Sequence, residues 1–114
     1  MQEGVALGYL AGLEVSRGHL EEATRLVDQA LEVHRDLGNR HHEALNLALS
    51  GEIEEARGCV EDARSSLESA LALQRASGDP TPLGFSLSRL AILEIRQGRL
   101  DQAECYGDEA LEII

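Results

Sequence analysis

The sequence predicts an all-α chain of three helical hairpins, six helices in one domain spanning residues 1–114. Three observations carry the prediction. One pattern (Gly, any residue, an aliphatic, two polar residues, Ala) occurs at Gly18-His19-Leu20-Glu21-Glu22-Ala23, Gly58-Cys59-Val60-Glu61-Asp62-Ala63 and Gly98-Arg99-Leu100-Asp101-Gln102-Ala103, forty residues apart each time. Apolar residues after each glycine return at helical spacing, as at Leu20, Ala23, Val27, Ala30 and Leu31. Aromatics are only 3%, Trp is absent, and the Ala- and Leu-rich remainder suits close helix packing better than a sheet.

The elements follow in order along three repeats, approximately 1–38, 39–78 and 79–114. Helices are expected near 3–17, 20–37, 41–57, 60–77, 82–97 and 100–114. Within each repeat a tight turn at Gly18, Gly58 or Gly98 closes the first helix, because glycine accepts the left-handed conformation that ends a helix. Between repeats, Leu37-Gly38-Asn39 and Ser77-Gly78-Asp79 supply matching punctuation, with Gly38 and Gly78 as C-terminal caps. The second junction continues into Pro80-Thr81-Pro82, where Thr81 is expected as the N-cap and Pro82 as the first helical residue. Ala23, Ala63 and Ala103 each precede a second alanine by seven residues, at Ala30, Ala70 and Ala110. A methyl at these positions lets the two helices of a hairpin approach within about 8–10 Å.

Charge and cysteine usage bound the partners. All ten basic residues are Arg, set against twenty-one carboxylates, for a formal charge of −11. So acidic a chain repels phosphate backbones and anionic lipid surfaces, so nucleic acid and membrane are excluded as partners. The acidity serves solubility or attracts a basic protein. Cys59 and Cys105 have no CxxC spacing, and no apolar run approaches the ~20 residues of a membrane span or has a signal-peptide pattern. A soluble, reducing, cytoplasmic setting without disulfides is expected.

The repeats resemble the tetratricopeptide repeat on quoted positions: Leu7, Leu10, Ala11, Gly18, Ala23 and Ala30 in the first, Leu87, Leu90, Ala91, Gly98, Ala103 and Ala110 in the third. The second repeat has Leu47, Ser50, Gly51, Gly58, Ala63 and Ala70. The resemblance departs in its period, forty rather than about 34 residues, and in Glu14, Glu54 and Glu94, which stand where the family usually has Tyr. The longer period is similar to the variant found in arrays of large bacterial regulators and in eukaryotic scaffolds. Arg without Lys hints at a GC-rich genome and favours the bacterial variant. The resemblance implies a right-handed α-solenoid whose first helices line a concave groove for a polypeptide.

Carried over by position, the groove consists of Val5, Gly8, Gly12 and Val15, then Leu45, Ala48, Glu52 and Glu55, then Phe85, Ser88, Ile92 and Ile95. None is Lys, Arg or Asn, so the family's clamp for a terminal carboxylate is absent. The segment from Leu83 to Ile95 is apolar nearly all round, which calls for burial on several sides, a groove for an amphipathic helix, or both. Of the carboxylate column, Glu14 and Glu54 have Arg17 and Arg57 three residues on and are expected to pair within their helices. Glu94 has Gln97 at that spacing and is expected to be available to a partner. Glu52, Glu55 and Glu94 among apolar neighbours point to a basic amphipathic helix.

No chemistry finds a foothold. His34, His41 and His42 lack a closed metal-ligand set, and Gly8, Gly12 and Gly18 form no phosphate loop with a following Lys, so neither metal nor cofactor is expected. The reading is a non-enzymatic protein-interaction module; the alternative is an oligomerisation or spacer segment of a larger regulator. The final helix carries Tyr106, Leu111, Ile113 and Ile114 with no further helix to shield them, which predicts a weak to moderate homodimer through the C-terminal edge.

Overall fold

A computed structural model describes residues 3–77 and 80–113. Among these, six helices run in order: α1 Glu3–Ser16, α2 Leu20–Asp36, α3 Arg40–Ala56, α4 Val60–Ser77, α5 Pro80–Arg96 and α6 Leu100–Ile113. They pair as hairpins α1/α2, α3/α4 and α5/α6, and the second helix of each hairpin packs on the first helix of the next, through α2/α3 and α4/α5. The array measures 39 × 30 × 19 Å.

Local sequence explains the ends. Gly18, Gly38, Gly58 and Gly98 have φ between +69° and +80°, which a side chain would strain. At each turn the amide of the residue after the glycine reaches back five residues, as His19 N–H to Glu14 C=O (2.9 Å), Cys59 to Glu54 (2.8 Å) and Arg99 to Glu94 (2.8 Å). The glycine amide bonds three residues back in each case, completing the Schellman closure. Asn39 caps α3 by accepting from His42 N–H at 3.3 Å. One expected boundary is corrected. Helix α5 already runs from Pro80, so Thr81 lies inside it and is not the N-cap; a proline costs no donor at a first helical position, and Pro80 takes that place. The expected cap at Gly78 lies outside the described residues.

Two apolar clusters hold the stack. Ala11, Ala23, Leu26, Val27 and Leu31 join the first hairpin to Ile53 of α3. Ala48, Ala63, Leu67, Ala70 and Leu71 join the second hairpin to Leu87, Leu90 and Leu93 of α5. Those three leucines are fully buried, and truncating one to Ala removes about 2–5 kcal/mol. The repeated alanines behave as their spacing requires, since Ala23, Ala30, Ala63 and Ala70 have no exposed surface. The two helices of the second hairpin approach closely at Gly51, where a Cβ would lie 2.8 Å from Leu67 Cγ and 3.2 Å from the Ala63 carbonyl. That contact is why the second repeat has glycine where the others have Ala11 and Ala91.

Candidate functional site

The first helices of the three hairpins carry the groove positions, and α1 and α3 frame a cleft of about 180 Å³. Val5 and Leu45 line it, with Gly4, Gly8, Tyr9, His42, Asn46 and Leu49. It is that deep because α1 presents glycine twice, one turn apart, toward residues it packs against. A Cβ at Gly4 would strike the His34 ring at 2.6 Å, and one at Gly8 would lie 3.3 Å from Asn46 Oδ1. A cleft this size is below the ~300–1,000 Å³ of small-molecule sites and suits one side chain rather than a cofactor.

A second cleft, about 360 Å³, lies toward the other end of the same helices and gathers Val15, Glu52, Glu55, Ala56, Arg89 and Arg96. Arg89 donates to Glu55 Oε1 at 3.2 Å and Arg96 to Glu55 Oε2 at 2.8 Å, so two cations of α5 hold one carboxylate of α3. Positional carry-over missed both arginines. Their spacing of seven residues around Ile92 was the available signal, because it puts them on the side of α5 that carries that groove position. Glu52 is half-buried and makes no ion pair among the described residues.

On α5 the two readings of its apolar surface hold on different sides. Leu87, Leu90 and Leu93 face the core, whereas Phe85, Ile92 and Ile95 are 53%, 39% and 56% exposed, with Ser88 exposed beside them. Leu45 is exposed, Val5 and Gly12 are half-exposed, and nothing stands within 4 Å of where a Gly12 side chain would be.

Three expected roles are corrected. Ala48 is 4% exposed and belongs to the core, because α4 packs over it. Glu94 is 1% exposed and unavailable to a partner: Arg64 of α4 donates to it from Nε at 3.1 Å and Nη2 at 2.6 Å, and Arg99 lies 3.6 Å away. Burial would make a lone carboxylate costly, and a guanidinium thirty residues earlier in the chain compensates it. The paired carboxylates hold the Arg64 guanidinium above its already high range, Glu94 first and Glu61 second. Glu54 accepts from Ser50 (3.1 Å) and Ser66 (2.5 Å) rather than from Arg57. Glu14 pairs with Arg17 at 3.1 Å as expected, and also with His19 Nδ1 at 2.6 Å.

The junctions carry buried polar side chains, of which the sequence reading weighed only the histidines, and those only as metal ligands. His34 stacks on His42 with ring centroids 5.0 Å apart, and neither His34 nitrogen has a hydrogen-bond partner among the described residues. Gln74, forty residues on, is buried with its amide oxygen and nitrogen unpartnered. Asn46 Oδ1 and its equivalent Ser86 Oγ are likewise unpartnered. Desolvation holds His42 below the usual imidazole range, assisted by His34 and His41. Among the described residues no three His, Cys, Asp or Glu side chains gather as metal ligands, and no helix is long and apolar enough to cross a membrane.

At the C-terminal edge Leu111 is 69% exposed. Tyr106 is half-buried and donates to Glu68 at 3.5 Å, with burial pushing its phenol up. It therefore packs inward, against its own neighbours, more than outward. Ile114 and the side chain of Ile113 lie outside the described residues.

Comparison with known proteins agrees with this geometry. No curated protein matches the sequence. The crystal structure of BtubC (BKLC) from P. vanneervenii superposes with a TM-score of 0.87 at 23% identity, covering 96% of this chain and 46% of that one. The crystal structure of the TPR domain of Arabidopsis FLU superposes with a TM-score of 0.88 at 17% identity, covering 97% of this chain and 93% of that one. This chain thus spans less than half the length of BtubC. The tetratricopeptide repeat profile matches residues 43–114, and with three hairpins of that fold, the chain belongs to the tetratricopeptide repeat family.

Proposed function

We propose that this chain is a non-enzymatic module that binds another polypeptide along α1, α3 and α5, in a reducing cytoplasmic setting. Tetratricopeptide repeat domains generally mediate protein–protein interaction. The observation that carries the reading here is the exposed set Phe85, Ile92 and Ile95 on a helix whose opposite side is fully buried. An amphipathic helix laid along α5 would cover them and reach Leu45 and the α1/α3 cleft. Its flanking charge is expected to be positive, because Glu52 is unpaired and the whole chain carries −11. Glu55, already held by Arg89 and Arg96, contributes little to that attraction.

The test uses two synthetic helices with the same leucine stripe, one flanked by Arg and one by Glu. The Arg-flanked helix should bind, with affinity falling as salt rises. Ile92→Glu should weaken it at least ~10-fold, about 1.4 kcal/mol. Equal binding of the Glu-flanked helix, or no effect of Ile92→Glu, would sink the groove reading.

A second reading has the repeats act as a spacer within a longer regulator, which the exposed leucines at both ends of the stack, Leu10, Leu13 and Leu111, favour. A spacer would bind neither helix. Self-association through α6, expected from the exposed end of the stack, is opposed by the charge of that helix. Asp101, Glu104, Asp108 and Glu112 are all exposed there, and α6 carries no Arg.

A further inference from the structure

The forty-residue period makes every helix face comparable with its equivalents. At the second-helix position Leu31, Leu71 and Leu111, the first two are 6% and 2% exposed because the next hairpin covers them, whereas Leu111 is 69% exposed. First helices show the complement: Leu90 and Leu93 are fully buried, while their equivalents Leu10 and Leu13 are 49% and 45% exposed. The two ends of the stack thus expose the two halves of one interface, the one closed between α4 and α5.

Charge decides what each half accepts. Between α4 and α5 the leucine stripe Leu87, Leu90, Leu93 is followed by Glu94, which meets Arg64 in an almost fully buried pair. In α6 the position of Arg64 is taken by Glu104, exposed and without an ion pair among the described residues. A helix continuing the stack would set the residue after its own stripe against Glu104. Helix α1 has the stripe, Leu7, Leu10 and Leu13, but follows it with Glu14. Arg17 and His19 share Glu14 at the rim, yet a second copy docked in register would still press Glu14 and Glu104 together with no Arg64 equivalent between them.

We infer that the outer face of α6 is a docking surface for a leucine-striped helix of another polypeptide that carries Arg or Lys directly after the stripe, and that Glu14 facing Glu104 keeps copies of this chain from stacking there. The inference rests on the protein-binding reading but uses a different surface from the α5 groove. Its partner has Leu at three-residue intervals and a cation at the next position, the charge-reversed counterpart of α5.

Four proteins test it by light scattering over a concentration series: the wild type, Glu104→Arg, Glu14→Arg and the double reversal. The Glu14→Arg chain is also the probe, since its α1 presents the stripe followed by Arg to the wild-type α6 face. The wild type should stay monomeric. Each single reversal should raise the average mass with concentration, reversibly with salt, and the double reversal should return it to the monomer. Should Glu14→Arg lose its helical circular dichroism, Glu104→Arg, a change at an exposed position, decides alone. A wild type that associates as strongly as the single variants, single variants that stay monomeric, or a double variant that associates like the singles would each overturn the inference. Ile92→Glu leaves this assay untouched, so failure at the edge and failure of the groove are told apart.

Discussion

The junctions α2/α3 and α4/α5 occupy the same place in successive repeats yet are fastened differently. In the first, His34 lies under Gly4 and stacks on His42 at 5.0 Å, and Thr24, the equivalent of Arg64, bonds back to Leu20 C=O at 2.9 Å within its own helix. In the second, Gln74 replaces His34 and Arg64 reaches Glu94 across the interface. The apolar positions of both junctions are interchangeable in kind, so they fix the stacking but not its sensitivities. The polar residues do that, giving α4/α5 an ion pair buried on both sides and α2/α3 stacked imidazoles beside a pair between the exposed Arg35 and the buried Glu43.

The largest expected effect comes from breaking the ion pair. Arg64→Ala leaves Glu94 buried with only Arg99 nearby at 3.6 Å, and should cost about 3 kcal/mol in urea unfolding. Thr24→Ala at the equivalent place in α2/α3 should cost less than about 1 kcal/mol, because its bond is internal to the helix. Similar losses at both sites would mean the junctions do not differ as described.

A smaller effect of opposite sign is expected at Gln74. Its two amide atoms are buried without partners, so Gln74→Leu should raise stability by about 1 kcal/mol, read as a higher urea midpoint at unchanged slope. A loss instead would show that the amide is bonded in solution.

The smallest effect should be that of pH, and it belongs to α2/α3. His42 titrates below its unfolded value of 6.5, so the folded state takes up its proton less readily than the unfolded chain. That contribution to stability is present above pH 6.5 and lost as pH falls through the lowered value. His42→Gln should flatten this part of the stability profile, while Arg64→Ala should leave its slope in place. An unchanged slope in His42→Gln would move the titration to another group.

The carboxylate column shows how much of the site was legible. Glu14, Glu54 and Glu94 share one repeat position; sequence spacing offered Glu14 and Glu54 an arginine three residues on and left Glu94, with Gln97 there, available to a partner. That reasoning held for Glu14, whose neighbourhood is its own turn. It missed at Glu54 and Glu94, which answer Ser66 and Arg64 of a different helix. The groove fared similarly: the family resemblance, carried over by position, named Phe85, Ile92 and Ile95, which are exposed, and also Ala48, whose burial depends on which neighbour packs over it.

By itself the sequence determined what is local: six helices, the left-handed glycines that close them, the alanines that admit close packing, and the order of the hairpins. These follow from backbone sterics and from spacing along one helix, and both act within a few residues. Only the tertiary structure decided which equivalents are covered. Leu93 is buried because α4 packs over it, whereas its equivalent Leu13, in the first hairpin described, is 45% exposed, and Glu94 is sealed because Arg64 arrives from thirty residues away. Burial and long-range ion pairing depend on neighbours in space, and a repeat that reads the same three times in sequence meets three different sets of neighbours in the fold.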